Sequence, residues 1–154
     1  MGLTKPKARV AGIDVAGVVE APGANVRPLR SGDEVLDFLR GAFAEHACAA
    51  ADMVVPKPAS LTFEQAAAVP IAATTALRGI LDVGEVKAGQ RVLVNGAGGG
   101  VGTYAVQIAA ALGAEVTGVS STAQRRAGAL GLVATPSSLP ASRSGLLTAC
   151  ITQV

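Results

Sequence analysis

The chain has 154 residues and a formal net charge of +2, and no basic stripe marks a nucleic-acid partner. Its two cysteines, Cys48 and Cys150, make neither a zinc cluster nor a disulfide framework. With one Tyr, three Phe and no Trp, any core must be packed from small aliphatic side chains.

The start, Met-Gly-Leu-Thr-Lys-Pro-Lys, lacks the apolar centre of a secretory signal. The longest apolar stretch, Ala66 to Leu77, contains Pro70, Thr74 and Thr75 and falls short of the ~20 residues that a membrane span needs. A soluble, cytoplasmic protein is the expectation.

Residues 1–12 are basic and irregular. Asp14 to Ala21 is rich in β-formers, and Pro22 to Asn25 is a turn. Ser31-Gly32-Asp33 makes a second turn before a strand over Glu34 to Leu39. Gly41 to Ala50 and Met53 to Val55 read as two more short strands, and Pro56-Lys57-Pro58 closes the β-rich section. Short strands separated by turns predict a small β-barrel or part of one.

Thr62 and Gln65 have capping-box spacing, which predicts a helix from Phe63. Pro70 interrupts it, and a second helix fits Ile71 to Leu81. The boundary between the β-rich and helical regions lies near Pro56 to Leu61.

Arg91 to Gly102 organises the rest of the chain. Val92, Leu93 and Val94 form an apolar run suited to a strand buried on both faces. Five glycines in the seven positions 96–102 then break it. From Val101 the period becomes helical, with Val101, Tyr104, Ala105, Ile108, Ala109 and Leu112 on one face. Gly113 ends that helix, and Glu115 to Ser120 reads as a second strand. Strand, glycine turn, helix, strand is the first half of a dinucleotide-binding unit.

The chemistry comes from the geometry. A helix N-terminus presents unpaired N–H groups and partial positive charge, so it attracts a pyrophosphate. Glycine lets the backbone approach that anion. Gly96, Ala97, Gly99, Gly100, Val101 and Gly102 are the predicted pyrophosphate residues, with Gly102 packing the helix close to the strand. A flexible loop is the competing account of a lone glycine pattern, and the flanking strand and helix favour the dinucleotide.

Coenzyme choice is read at the end of the second strand. NAD-binding proteins place an acidic residue there for the ribose. Here stand Ser120, Ser121 and Thr122, followed by Arg125 and Arg126. Hydroxyls and a guanidinium suit a 2′-phosphate, and a polar loop leading into a solvated helix is the alternative.

After Ser120 the pattern weakens. Ala123 to Leu130 suits a short helix, and from Leu132 neither period is visible. The segment from about Arg125 to Val154 is expected to be read out of the ancestral frame, with a genuine divergent tail as the alternative. Leu132 to Val154 is then expected to form no third parallel strand.

A family resemblance rests on five ordered segments. Gly12 to Glu20 resembles the G-x-[DE]-x-x-G-x-V segment of medium-chain dehydrogenases/reductases. Ser31 to Val35, Gly41 to Glu45, Leu61 to Pro70 and Gly99 to Gly102 continue the series. Their order and spacing resemble the zinc-independent quinone oxidoreductase branch, from about Ala11 to Gln124. Zinc-dependent members carry His-Glu where this chain has Ile13-Asp14, and a cysteine cluster that is absent here.

The resemblance implies an α/β protein with part of a GroES-like β-barrel catalytic domain over 1–60. The first half of a Rossmann domain follows over 61–154, with 132–154 as an aberrant tail. It implies NADPH as hydride donor, no metal, a quinone or α,β-unsaturated carbonyl compound as small-molecule substrate, and a homodimeric parent enzyme. It also places a threonine near the nicotinamide, at Thr74 or Thr75, for which a helix-interior role is equally open.

Other residues have plainer readings. Tyr104 suits core packing. His46, the single histidine, alternates like a surface strand residue. Cys48 suits a small buried apolar position, and Asp14 a turn or strand-edge carboxylate. The reading is therefore an NADPH-dependent reductase. The alternatives are a truncated or frame-shifted product without activity, and a nucleotide-binding module that pairs with another chain.

Overall fold

The computed structural model describes residues 10–27, 29–121 and the backbone of 146–147. The chain is α/β and divides into two compact units, Met1–Ile71 and Ala72–Val154.

The first unit holds an antiparallel sheet in the order β1-β2-β3, formed by Asp14–Val18, Glu34–Phe38 and Val55–Pro56. Its register sets Asp14 against Phe38 and Val18 against Glu34. Helix α1, Phe63–Ala67, packs on β1 and β2. It begins where the capping box predicts. The Thr62 hydroxyl accepts the Gln65 N–H at 3.3 Å, and the Gln65 side chain accepts the Thr62 N–H at 3.0 Å. Two orphan donors of a very short helix are thus satisfied locally.

Gly41 to Ala50 is not a strand; it runs as turns and bends. Gly41 takes φ +85°, and the N–H groups of Gly41 and Ala42 both point at Gly12 O. Two successive donors on one acceptor cannot continue a strand ladder. The expected strand over Met53 to Val55 is likewise reduced to Val55–Pro56.

Helix α2, Pro70–Arg78, starts at the predicted break, since proline fits a first helical turn that needs no N–H. It passes into a π-helical turn over Gly79–Val83, which carries the fully buried Ile80.

In the second unit β4, Arg91–Asn95, pairs in parallel with β5, Glu115–Val119, and α3, Gly100–Ala111, links them. Val92 and Val94 are buried with Ala105, Val106 and Ala109 in one core, whereas Leu93 is only half-buried. β4 is therefore fully buried on one face rather than both. The buried stripe of α3 is Gly102, Ala105, Val106 and Ala109. It is rotated from the expected face, because the small residues sit closest to the sheet. Val101, Tyr104, Ile108 and Leu112 flank it, partly buried. Gly113, at φ +81°, ends α3: its N–H bonds Ala110 O at 2.9 Å and Ala114 N–H bonds Ala109 O at 3.1 Å.

A third parallel strand does form, against expectation. β6, Leu146–Leu147, pairs with β4 at Arg91 and Val92, giving the order β5-β4-β6. Two residues are too few for a sequence period to register, yet they satisfy part of the open edge of β4. The expected helix over Ala123 to Leu130 lies outside the described residues.

Asp37 is a buried carboxylate on β2, 4 % exposed. Burial pushes its pKa above the ordinary 3.8; the Phe38 N–H it accepts opposes this, and the Asp52 carboxylate adds to it. The folded state thus holds the proton more tightly than the unfolded chain. Its contribution to stability is fully present below pH 3.8 and is lost as pH rises through the raised value. Asp37→Asn keeps an oxygen for Phe38 and removes the charge. The variant should gain stability relative to the parent as pH rises from about 3 to 7, read from urea midpoints. A difference that does not change with pH would contradict this.

Candidate functional site: the glycine turn between β4 and α3

β4 and β5 run in register, Asn95 beside Val119, so their carboxyl ends lie together. The turn from Gly96 folds over the end of β5. Val119 O accepts N–H groups from both Gly96, at 2.8 Å, and Ala97, at 2.9 Å. Gly96 adopts φ +81°, which favours glycine, and its carbonyl accepts the Gly99 N–H at 2.9 Å.

Gly102 is glycine for a different reason. A Cβ there would overlap the Gly96 carbonyl oxygen and lie 2.7 Å from the carbonyl carbon and 2.8 Å from Ala97 Cα. The first turn of α3 therefore rests directly on the backbone of the turn. Thr103 secures the same contact, its hydroxyl donating to Gly99 O at 2.8 Å.

Gly99 is the N-cap and carries no side-chain capping bond. The N–H groups of Gly100, Val101 and Gly102 thus begin the helix without intrahelical partners. A Cβ on Gly100 would meet nothing within 4 Å. Open space thus lies beside Gly100 at a helix N-terminus, the kind of position that attracts an anion. No acidic side chain occupies the first turn of α3 to compete with it.

Ser120 follows β5 directly and is half-buried, and Ser121 is exposed. Both lie close after Val119, which holds the turn, so the structure gathers Gly96, Ala97, Gly99, Gly100, Val101, Gly102, Ser120 and Ser121 at one end of the sheet. Thr122, Arg125 and Arg126 lie outside the described residues. Thr74 and Thr75 are on α2 with exposed side chains.

The remaining candidates resolve individually. Tyr104 is half-buried against the core. Asp14 starts the edge strand β1, as expected of a strand-edge carboxylate, and has a further task. Its Oδ1 accepts the Ile71 N–H at 2.8 Å, capping the start of α2 from another element. His46 lies in the irregular segment, not a strand, with Nδ1 3.1 Å from Glu20 Oε2 on an open surface. Cys48 is exposed rather than buried. The strand expected to bury it does not form.

Lys57 has no place among the sequence-derived candidates. Its side chain is 5 % exposed, ion-paired to Glu34 at 3.0 Å, bonded to Leu61 O at 2.6 Å and set 5.1 Å from the centre of the Phe63 ring. All of these contacts are structural. Among the described residues no His, Cys, Asp or Glu cluster is arranged to hold a metal, and no helix is long and apolar enough to cross a membrane.

The fold is α/β with a glycine turn at the start of α3, and comparison with known proteins shows what it resembles. The sequence pattern of the alcohol dehydrogenase GroES-like domain matches residues 2–59. Quinone oxidoreductase of Sus scrofa is 47% identical over 113 residues, 72% of this chain and 34% of that protein. The crystal structure of Escherichia coli quinone oxidoreductase complexed with NADPH superposes with a TM-score of 0.75 at 34% identity, over 85% of this chain and 41% of that one. An NAD-dependent alcohol dehydrogenase superposes at 0.78 with 31% identity, over 86% and 48% of the two chains. These likenesses support a quinone oxidoreductase-like protein of the medium-chain dehydrogenase/reductase superfamily. The chain spans about a third of the length of the quinone oxidoreductases it matches.

Gly102→Ala separates close packing from helix propensity. Propensity alone favours alanine by about 1 kcal/mol. The overlap with the Gly96 carbonyl should outweigh it and destabilise the chain by roughly 2–3 kcal/mol, measured by urea unfolding. An unchanged or raised midpoint would mean that the turn does not carry α3.

Proposed function

We propose that the chain supplies the pyrophosphate turn and the 2′-phosphate end of an NADPH site, in an oxidoreductase acting on quinones or α,β-unsaturated carbonyl compounds without a metal. The observation that carries this reading is the N-terminus of α3, which no side chain caps and which rests on Gly96 and Ala97. Gly96, Ala97, Gly99, Gly100, Val101 and Gly102 would form the pyrophosphate site: Gly100, Val101 and Gly102 through backbone N–H groups, and Gly96, Ala97 and Gly99, whose N–H groups bond Val119 O and Gly96 O, by shaping the turn. Ser120 and Ser121 would donate to the 2′-phosphate, with Thr122 and Arg125 beside them in sequence. Thr75 is assigned to the nicotinamide end by family resemblance.

When bound, NADPH supplies the hydride, and the protein's task is binding and orientation. The backbone of the turn is neutral, so its affinity for pyrophosphate comes from aligned N–H dipoles and not from a titrating group. Residues 1–60 are read as part of a GroES-like catalytic domain and 61–154 as part of a Rossmann domain.

Support for NADPH over NADH comes from the hydroxyls at the end of β5. An acidic residue there would repel a 2′-phosphate and accept a bond from a free ribose hydroxyl. Titration of the purified chain with each coenzyme, followed by nicotinamide fluorescence, should give tighter binding of NADPH. Ser120→Asp should then weaken NADPH by more than about tenfold, the worth of one charge-assisted contact, and leave NADH equal or improved. Failure of the chain to bind either coenzyme would defeat the cofactor reading. Equal losses for both would defeat only the assignment to the end of β5.

A further inference from the structure

We propose that β5 is a spacer that sets the distance between the two anion-binding ends of this site, and that Gly118 is the positioning residue through which it does so. The inference rests on the proposed cofactor site and adds to it a residue with no side chain.

Gly118 is paired with Val94 on the central strand. A glycine inside a strand weakens it and marks a place where another backbone comes close. Here that neighbour is the glycine turn. A Cβ on Gly118 would stand 2.8 Å from Ala97 Cβ, and Ala97 is only 1% exposed, so it has nowhere to retreat without moving the backbone. Carbon atoms prefer about 3.5–4.0 Å, so alanine at 118 would push the turn outward by roughly 1 Å. The next residue, Val119, holds the same turn through its doubly bonded carbonyl.

Gly102 is seated on Gly96 and Ala97, so the first N–H groups of α3 move with the turn. Ser120 and Ser121 continue from β5 itself. A shift of the turn therefore changes the span from the helix N–H groups to the serine hydroxyls, while the chemistry at each end stays the same. A ligand that bridges both ends senses the change, and one that occupies a single end does not.

The test uses the full chain and three probes, with isothermal titration as the readout. NADPH engages both ends, inorganic pyrophosphate only the turn, and 2′-AMP only the end of β5. Gly118→Ala should weaken NADPH by about tenfold or more and change each single-end probe by less than about twofold. Ala97→Gly, which removes the contact without a clash, should weaken NADPH while changing 2′-AMP by less than about twofold, and serves if Gly118→Ala does not fold. The pair Gly118→Ala with Ala97→Gly restores one methyl in the gap and should recover NADPH affinity. Equal loss of all three probes, or no recovery in the pair, overturns the spacer. Should the unsubstituted chain bind none of the probes, the cofactor reading falls and takes this inference with it. If it binds all three and only the variants misbehave, the spacer alone falls.

Discussion

The second unit depends on one close approach, that of the first turn of α3 to the backbone of Gly96 and Ala97. Everything that makes the turn a candidate anion site derives from it. The helix can begin so near the end of β4 only because Gly102 has no Cβ. Its start is left without a side-chain cap because the N-cap is Gly99. Serine or aspartate at a helix start is more usual, but glycine is inferior by only a few tenths of a kcal/mol. A capping side chain would occupy the place an anion takes and satisfy the donors an anion needs. Small local cost and open donors are two aspects of one choice of residue.

The first unit handles buried charge in two contrasting ways. Lys57 lies under the surface fully partnered, by Glu34, by the Leu61 carbonyl and by the face of Phe63. Removing one member of such a set costs far more than the set contributes over an apolar substitute, because a buried charge is left alone. Asp37 is influenced instead by the Phe38 N–H, which favours its charge, and by the Asp52 carboxylate, which opposes it. Burial is the largest influence on it, and protonation removes the charge that burial penalises. Asp14 is a third case. Its carboxylate accepts the N–H at the start of α2, where Pro70 already removes one donor from the helix terminus.

How much of this was legible in the sequence depends on how local the determining interaction is. The capping box of α1, the break at Pro70 and the end of α3 at Gly113 are each decided within a few residues, and the structure has them where the residues indicate. The strand expected over Gly41 to Ala50 was not decided locally. Its alternation suits a strand, but bonds from Gly41, Ala42 and Phe43 back to Gly12 and Ala11 hold it in turns. The error carried over to Cys48, whose expected burial depended on that strand. β6 has too few residues to show a period and is defined by its partner β4. The turn at Gly96 and the close packing at Gly102 were legible because glycine spacing reports backbone conformation directly. Gly118 had a signal too, a glycine inside an apolar strand, but its meaning lies in Ala97, a residue on another element.

The division of labour within the β–α–β unit also comes from these distances. Affinity for a pyrophosphate would come from α3, whose N–H groups cannot tell one dinucleotide from another. Discrimination between coenzymes would come from the end of β5, where side chains differ while the backbone stays the same. The two must keep a fixed separation, and the bonds from Gly96 and Ala97 to the Val119 carbonyl join them directly. An element that merely paired with β4 would not supply this. β6 pairs with β4 at its amino end, at Arg91 and Val92, and so lies away from the turn. β5 pairs along the whole strand and reaches the carboxyl end, where the turn begins. Full register with β4 lets β5 reach the turn and hold it through the Val119 carbonyl.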